Sequence, residues 1–93
     1  MPQFLLHRQG DAVGVATEDL SKGDAASGRF RDRPDIVPVT MLDDVPLGHK
    51  VAVRDLAVGD LVIEYGVAIG VATASISAGQ HVHVHNLKGQ RWA

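Results

Sequence analysis

Three stretches, GVATEDLSKGD (14–24), KVAVRDLAVGD (50–60) and GVATASISAGQ (70–80), decide how this chain folds, because they are copies of one pattern. Each reads Val-Ala, two variable residues, Asp or Ser, Leu or Ile, two variable residues, Gly, then Asp or Gln. A recurring pattern of this kind marks a repeated supersecondary unit. Val15-Ala16, Val51-Ala52 and Val71-Ala72 belong to short strands, each ending where Asp19, Asp55 or Ser75 can cap a single helical turn with its side-chain oxygen. Leu20, Leu56 and Ile76 point inward from that turn. Gly23, Gly59 and Gly79 then supply the positive φ that lets the chain leave it. New strands follow in DLVIEYG (60–66) and QHVHVHN (80–86). The copies are unevenly spaced, so the expectation is not a solenoid but a small closed sheet that reuses one corner.

The remaining chain agrees. SGRFRDRPDIVPVTM (27–41) holds a charged, Pro-containing loop, and Pro38 in its apolar run marks an edge strand or a non-ladder position. LDDVPLGHK (42–50) reads as a turn-rich connector broken by Pro46 and Gly48. Gly66 falls at a hairpin turn between LVIEY and VAIGVA. No stretch sustains a 3.6-residue apolar period over three turns. The expected fold is all-β, one domain over residues 1–93, with two or three single-turn helices. Trp92, near the end of the chain, either folds back onto the core or anchors a partner.

Composition narrows the function. The 93 residues are 45% hydrophobic and 22% charged, as in a packed globular domain. Only 4% are aromatic, so small and β-branched residues fill the core, which favours sheet over helix bundle. The formal charge of −2 leaves no footprint for nucleic acid or an anionic membrane. With no cysteine, there are no disulfides and no thiolate metal ligands. The opening MPQFLLHRQG is too short in apolar run for a signal peptide, and nothing reaches membrane-spanning length, so a cytoplasmic protein is the expectation. A small core without staples also favours association with a partner.

Chemistry concentrates in HVHVHN (81–86). On a strand, His81, His83 and His85 share one face while Val82 and Val84 take the other. Same-face neighbours lie roughly 7 Å apart, so two imidazoles can converge on a metal but three in a row rarely can. A closed zinc site needs four ligands, and His49, Asp55 or Glu64 would have to complete it. The alternatives are a solvated polar face on a half-buried strand, or a face presented to a second protein, where imidazoles relay protons. PLGHK (46–50) is the second candidate, since His49 and Lys50 set a titratable donor beside a fixed cation, a pairing suited to an anionic substrate. Two exposed polar residues in a loop would look the same. Glu64, Tyr65 and Asn86 are weaker candidates, and Asn86 fits a turn as readily as a ligand. GDAVGVA (10–16) lacks the spacing of a phosphate-cradling loop, and no Gly-x-Ser-x-Gly elbow occurs. The histidines alone do not make a self-sufficient active site.

The stretch 45–88, with its words GHKVA, EYG, IGVAT, AGQHVHVHN and the repeated DLxxGD, resembles the SAF domain of altronate and galactarate dehydratases and of the related (2R)-sulfolactate sulfo-lyase small subunit. Residues 4–24 look like that family's first strand and corner, whereas 27–44 match less clearly. The resemblance implies a β-clip fold and a two-part lyase. In it a larger component holds most of a divalent metal site, iron or another hard-to-borderline cation, and the small one is inert alone. It implies substrates that are 2-hydroxy carboxylates, sugar acids or a sulfonate, losing water or sulfite to give a 2-keto acid. On this sequence it implies His83, His85 and His49 in proton transfer, and Lys50, His81 and Asn86 in substrate binding. A chain that stops at Ala93, where a dehydratase would run on, is expected to be a free-standing subunit. The other reading is a non-catalytic β-clip module that binds a carbohydrate or a protein.

Overall fold

A computed structural model describes residues 3–31 and 33–89. Trp92 lies outside the described residues. Among the described residues nine strands follow in chain order: β1 Phe4–Leu6, β2 Val13–Ala16, β3 Ala25–Phe30, β4 Ile36–Thr40, β5 Lys50–Ala52, β6 Leu61–Glu64, β7 Val67–Ala72, β8 His81–Val82 and β9 Leu87–Gly89. They build a six-stranded sheet in the order β4-β3-β1-β2-β5-β8 and a three-stranded sheet β6-β7-β9. Every pairing is antiparallel except β1 with β3. Pro38 sits on β4, at the sheet edge, where its missing N–H breaks no central ladder.

The all-β expectation holds, but the single helical turns do not form. Among the described residues there is no helix. Each echo is instead a tight turn that the residue after the glycine closes: Asp24, Asp60 and Gln80 donate their N–H to the carbonyls of Ser21, Ala57 and Ser77. Their side chains return to the N–H of the same three residues, at 2.9, 2.8 and 2.6 Å. Gly23, Gly59 and Gly79 have φ of 94°, 90° and 95°, the left-handed value a type II turn needs at its third position. Asp19 and Asp55, expected to cap their own turns, reach across instead, accepting the N–H of Leu47 and of Ala78 at 2.9 Å.

Those reaches expose a fourth copy that pattern reading treated as a connector. Val45-Pro46-Leu47-Gly48-His49 repeats the corner, with His49 donating to the Pro46 carbonyl and Gly48 at φ 84°. Numbered in chain order, the corners are the first at 20–24, the second at 45–49, the third at 56–60 and the fourth at 76–80, and they pair first with second and third with fourth. Leu20 and Val45 exchange both backbone hydrogen bonds at 2.8 Å, and Asp44 caps Lys22 as Asp19 caps Leu47. Leu56 and Ile76 exchange theirs at 2.7 and 2.8 Å. Leu20, Val45, Leu56 and Ile76 are all buried.

The alternation of strand side chains gives the large sheet two apolar faces. Phe4, Ala16 and Val51 pack with Leu20, Val45 and Met41 on one, while Val13, Ala52 and Val82 pack with Val62, Ala72 and Ile76 on the other. The small sheet thus covers one face and the first corner pair the other. The β6–β7 hairpin turns at Tyr65-Gly66, with φ of 59° and 71°, as a two-residue type I′ turn requires. Asp11, only 4% exposed, fastens that hairpin to the sheet: its carboxylate accepts the N–H groups of His7, Arg8, Tyr65 and Gly66.

Candidate functional site

The second corner carries the first functional side chain. At the other three corners the residue after the glycine spends its side chain on the N–H three positions back. At the second corner that position is Pro46, which has no N–H to offer. His49 is therefore released from closing the turn, while its backbone stays fixed by the Ala16 N–H donating to the His49 carbonyl at 2.9 Å. Its Nδ1 lies 2.9 Å from Nε2 of His81 instead. One of the two rings donates and the other accepts, so this contact holds two neutral imidazoles or one proton-sharing pair.

The fourth corner supplies the rest. His81 pairs with Val51 in β8, and its N–H donates to Asp43 Oδ2 at 3.0 Å. Here the expected strand over 80–86 is corrected: β8 ends at Val82, and 83–86 is a tight turn. Asn86 makes the turn. Its Oδ1 accepts the His83 N–H at 3.0 Å, its Nδ2 donates to the His81 carbonyl at 2.9 Å, and its own N–H donates to the His83 carbonyl. Val84 is consequently not on a buried face but 81% exposed. The turn also does what a straight strand could not, folding the imidazoles into one patch. Ring centroids of His49 and His83 are 4.9 Å apart, His49 and His81 5.1 Å, and both His83 and His85 lie 5.5 Å from His81.

The structure thus brings together His49, His81, His83 and His85. It leaves Lys50 and Asn86 in different surroundings. Lys50 follows His49 on β5 and so faces the opposite side of the sheet, across from Val15 and Val82. Asn86 is 6% exposed, with both amide atoms bonded to backbone. Burial, with the neighbouring imidazoles of His49, His85 and His83, pushes the His81 pKa below its ordinary value against the opposing pull of Asp43. His81 is therefore a neutral base or ligand at neutral pH. The patch is open to solvent on its His83 and His85 side.

A second group joins Tyr65 and Glu64, weaker candidates from the sequence, to His7, which the sequence reading passed over. His7 stacks on Tyr65 with ring centroids 3.5 Å apart, and its Nε2 lies 3.9 Å from Glu64. With Arg8 and Arg31 it lines an open cleft of about 480 Å³. A lone histidine after an apolar strand carries no pattern, and only the fold brings Tyr65 to it.

The family model of the altronate/galactarate dehydratase SAF domain matches residues 2–90. The chain belongs to that family. Among its relatives, the (2R)-sulfolactate sulfo-lyase subunit alpha of Chromohalobacter salexigens is 43% identical over 90 residues, 96% of each chain. The altronate dehydratase of Escherichia coli is 46% identical over 78 residues, which are 84% of this chain but 14% of that protein. The altronate dehydratase of Bacillus subtilis is 36% identical over 89 residues, again a small part, 16%, of a much longer chain. This SAF domain therefore belongs to a family of lyases, whose members include a protein named as a subunit and longer dehydratases that this chain matches over a short section.

Proposed function

We propose that this SAF domain is the small component of a two-part lyase acting on a 2-hydroxy carboxylate, with its imidazole patch facing the reaction site. The observation that carries the proposal is the convergence of four imidazoles, from two segments far apart in sequence, on one open surface. A solvated strand face needs no such convergence, and an open patch cannot exclude water by itself. Exposed Leu47 and Val84 flank the histidines in sequence and supply apolar area for a larger component to cover. The substrate is a sugar acid of the altronate type or a sulfonate such as sulfolactate, and water or sulfite leaves. A divalent metal, iron by the family resemblance, would be held mainly by the larger component and would polarise the substrate carboxylate. The assembly would be cytoplasmic.

Within this proposal the residues of the chain have separable tasks. His81, neutral and hydrogen-bonded to His49, accepts a proton or orients His49 to do so. His83 and His85, on the exposed side of the turn, bind the substrate carboxylate or return a proton to the leaving group. Asn86 positions them by holding the turn. Lys50, on the far face of β5, then acts outside the imidazole patch.

The test is replacement of His81, His83 and His85 together by Gln in the assembled enzyme. Loss of turnover with the complex still forming supports the reading; unchanged turnover sinks it.

A further inference from the structure

We propose that His49, His81 and His83 form a three-imidazole site that binds one divalent transition-metal ion on this chain alone, with coordination positions left open toward solvent. The inference goes beyond the lyase reading, which assigns the metal mainly to a larger component, and it stands on the geometry of this chain.

One ring nitrogen from each of the three lies within 4.8 Å of the other two. The His49–His81 edge is already close to ligand spacing. Two nitrogens, each about 2.1 Å from one ion, are about 3.4 Å apart in a tetrahedral shell and about 3.0 Å apart at a right angle, and Nδ1 of His49 and Nε2 of His81, 2.9 Å apart, need separate by only a few tenths of an ångström to take an ion between them. Without an ion those two lone-pair positions share one hydrogen. Binding would move that hydrogen to the other nitrogen of the donor ring, leaving both facing atoms free to ligate. His83 has to close the remaining gap by a change of side-chain rotamer, and it is the exposed member of the three, at the start of the 83–86 turn with solvent beside its ring.

The supports around the three ligands are rigid where a metal site requires rigidity. His49 is fixed by the corner's backbone hydrogen bonds, and His81 by its strand pairing and by Asp43 at its N–H. Neutral imidazoles are the form that ligates. Three nitrogens and no thiolate or carboxylate suit zinc, cobalt, nickel or ferrous ions and discriminate against magnesium and calcium, which take oxygen. Three protein ligands leave an incomplete shell, the arrangement of a site that receives a further ligand. His85, whose ring is 5.5 Å from that of His81, stands outside the set of three.

The experiment titrates the untagged, metal-stripped full chain with Co²⁺ and Zn²⁺, following the visible absorption of cobalt and the heat of zinc binding, with Mg²⁺ as control. One equivalent of each transition ion, none of Mg²⁺, and displacement of cobalt by zinc are expected. His49→Gln and His83→Gln should each weaken binding by about tenfold or more, while His85→Gln leaves it within about twofold. Gln is chosen at position 49 because Gln80 occupies the same corner position, and an unchanged urea midpoint shows that each variant folds. No stoichiometric binding by the wild-type chain overturns the proposal, as does binding that survives both the His49 and His83 replacements. Neither result bears on turnover by the assembled lyase, so the two readings fail separately.

Discussion

Replacing Asp11 by Asn tests how the fold is fastened. The carboxylate is 4% exposed and accepts four backbone N–H groups, those of His7, Arg8 and Tyr65 on Oδ2 and that of Gly66 on Oδ1. An Asn with its carbonyl in the Oδ2 position keeps three acceptances, each weakened by loss of charge, and turns an NH₂ toward Gly66. Charged acceptors contribute about 1.5–3 kcal/mol against about 1 for neutral ones, and an unanswered donor costs a further 1 or more, so the change should cost about 3 kcal/mol. That is a large part of the stability of a small domain. In urea, with a slope of about 1.5 kcal/mol per molar, the midpoint should fall by about 2 M. A pH arm checks the same group. Burial alone would raise the Asp11 pKa, but the hydrogen bonds from Gly66, Tyr65, Arg8 and His7 outweigh it and hold it below the ordinary 3.8. A depressed pKa contributes stability that is fully present above 3.8 and is lost as pH falls through the folded value. Wild type should therefore lose its advantage over Asp11→Asn on acidification below 3.8. A midpoint shift under about 0.3 M, or a gap between the two proteins that does not narrow in acid, would refute the reasoning.

Three further predictions rest on single contacts. A Cβ at Gly28 would lie 1.9 Å from a ring carbon of fully buried Phe4, so Gly28→Ala should cost about 2–3 kcal/mol in a urea titration. Gly79 combines φ of 95° with a Cβ position 2.1 Å from the Thr40 carbonyl, so Gly79→Ala should lower stability by about 2 kcal/mol or more in thermal melts, with fourth-corner amides losing hydrogen-exchange protection first. Val84 is 81% exposed, so Val84→Asp should leave stability within about 0.5 kcal/mol while weakening co-purification with a large lyase component.

What the sequence discloses follows from which forces are local. The three echoes are legible because Val-Ala, an inward Leu or Ile and a positive-φ Gly recur at fixed spacing. The copy at 45–49 is hidden because Pro46 and His49 replace the residues that close the other turns, and that same replacement frees His49 for the site. A capping Asp before a Leu looks alike whether it serves its own turn or a neighbour's. Only pairing of the corners sends Asp19 to Leu47 and Asp55 to Ala78. The alternation in HVHVHN suggested a strand to Asn86, but the Asn86 side chain offers the backbone a competing turn, and the chain leaves the sheet after Val82. The histidines were visible; their meeting with one another depends on that turn, and their meeting with His49 on the β5–β8 pairing. Tyr65 was a weaker candidate from the sequence, but its stacking on His7 is made by the sheet alone and left no mark there.

The most direct test of the central claim is reconstitution. The purified chain and a dehydratase-like large component from the same genome are assayed separately and together for 2-keto acid and sulfite release from (2R)-sulfolactate and from altronate. Product only from the mixture is the predicted result, and sulfite in step with keto acid would assign the leaving group. Turnover by the large component that is equally fast without the chain would contradict the account.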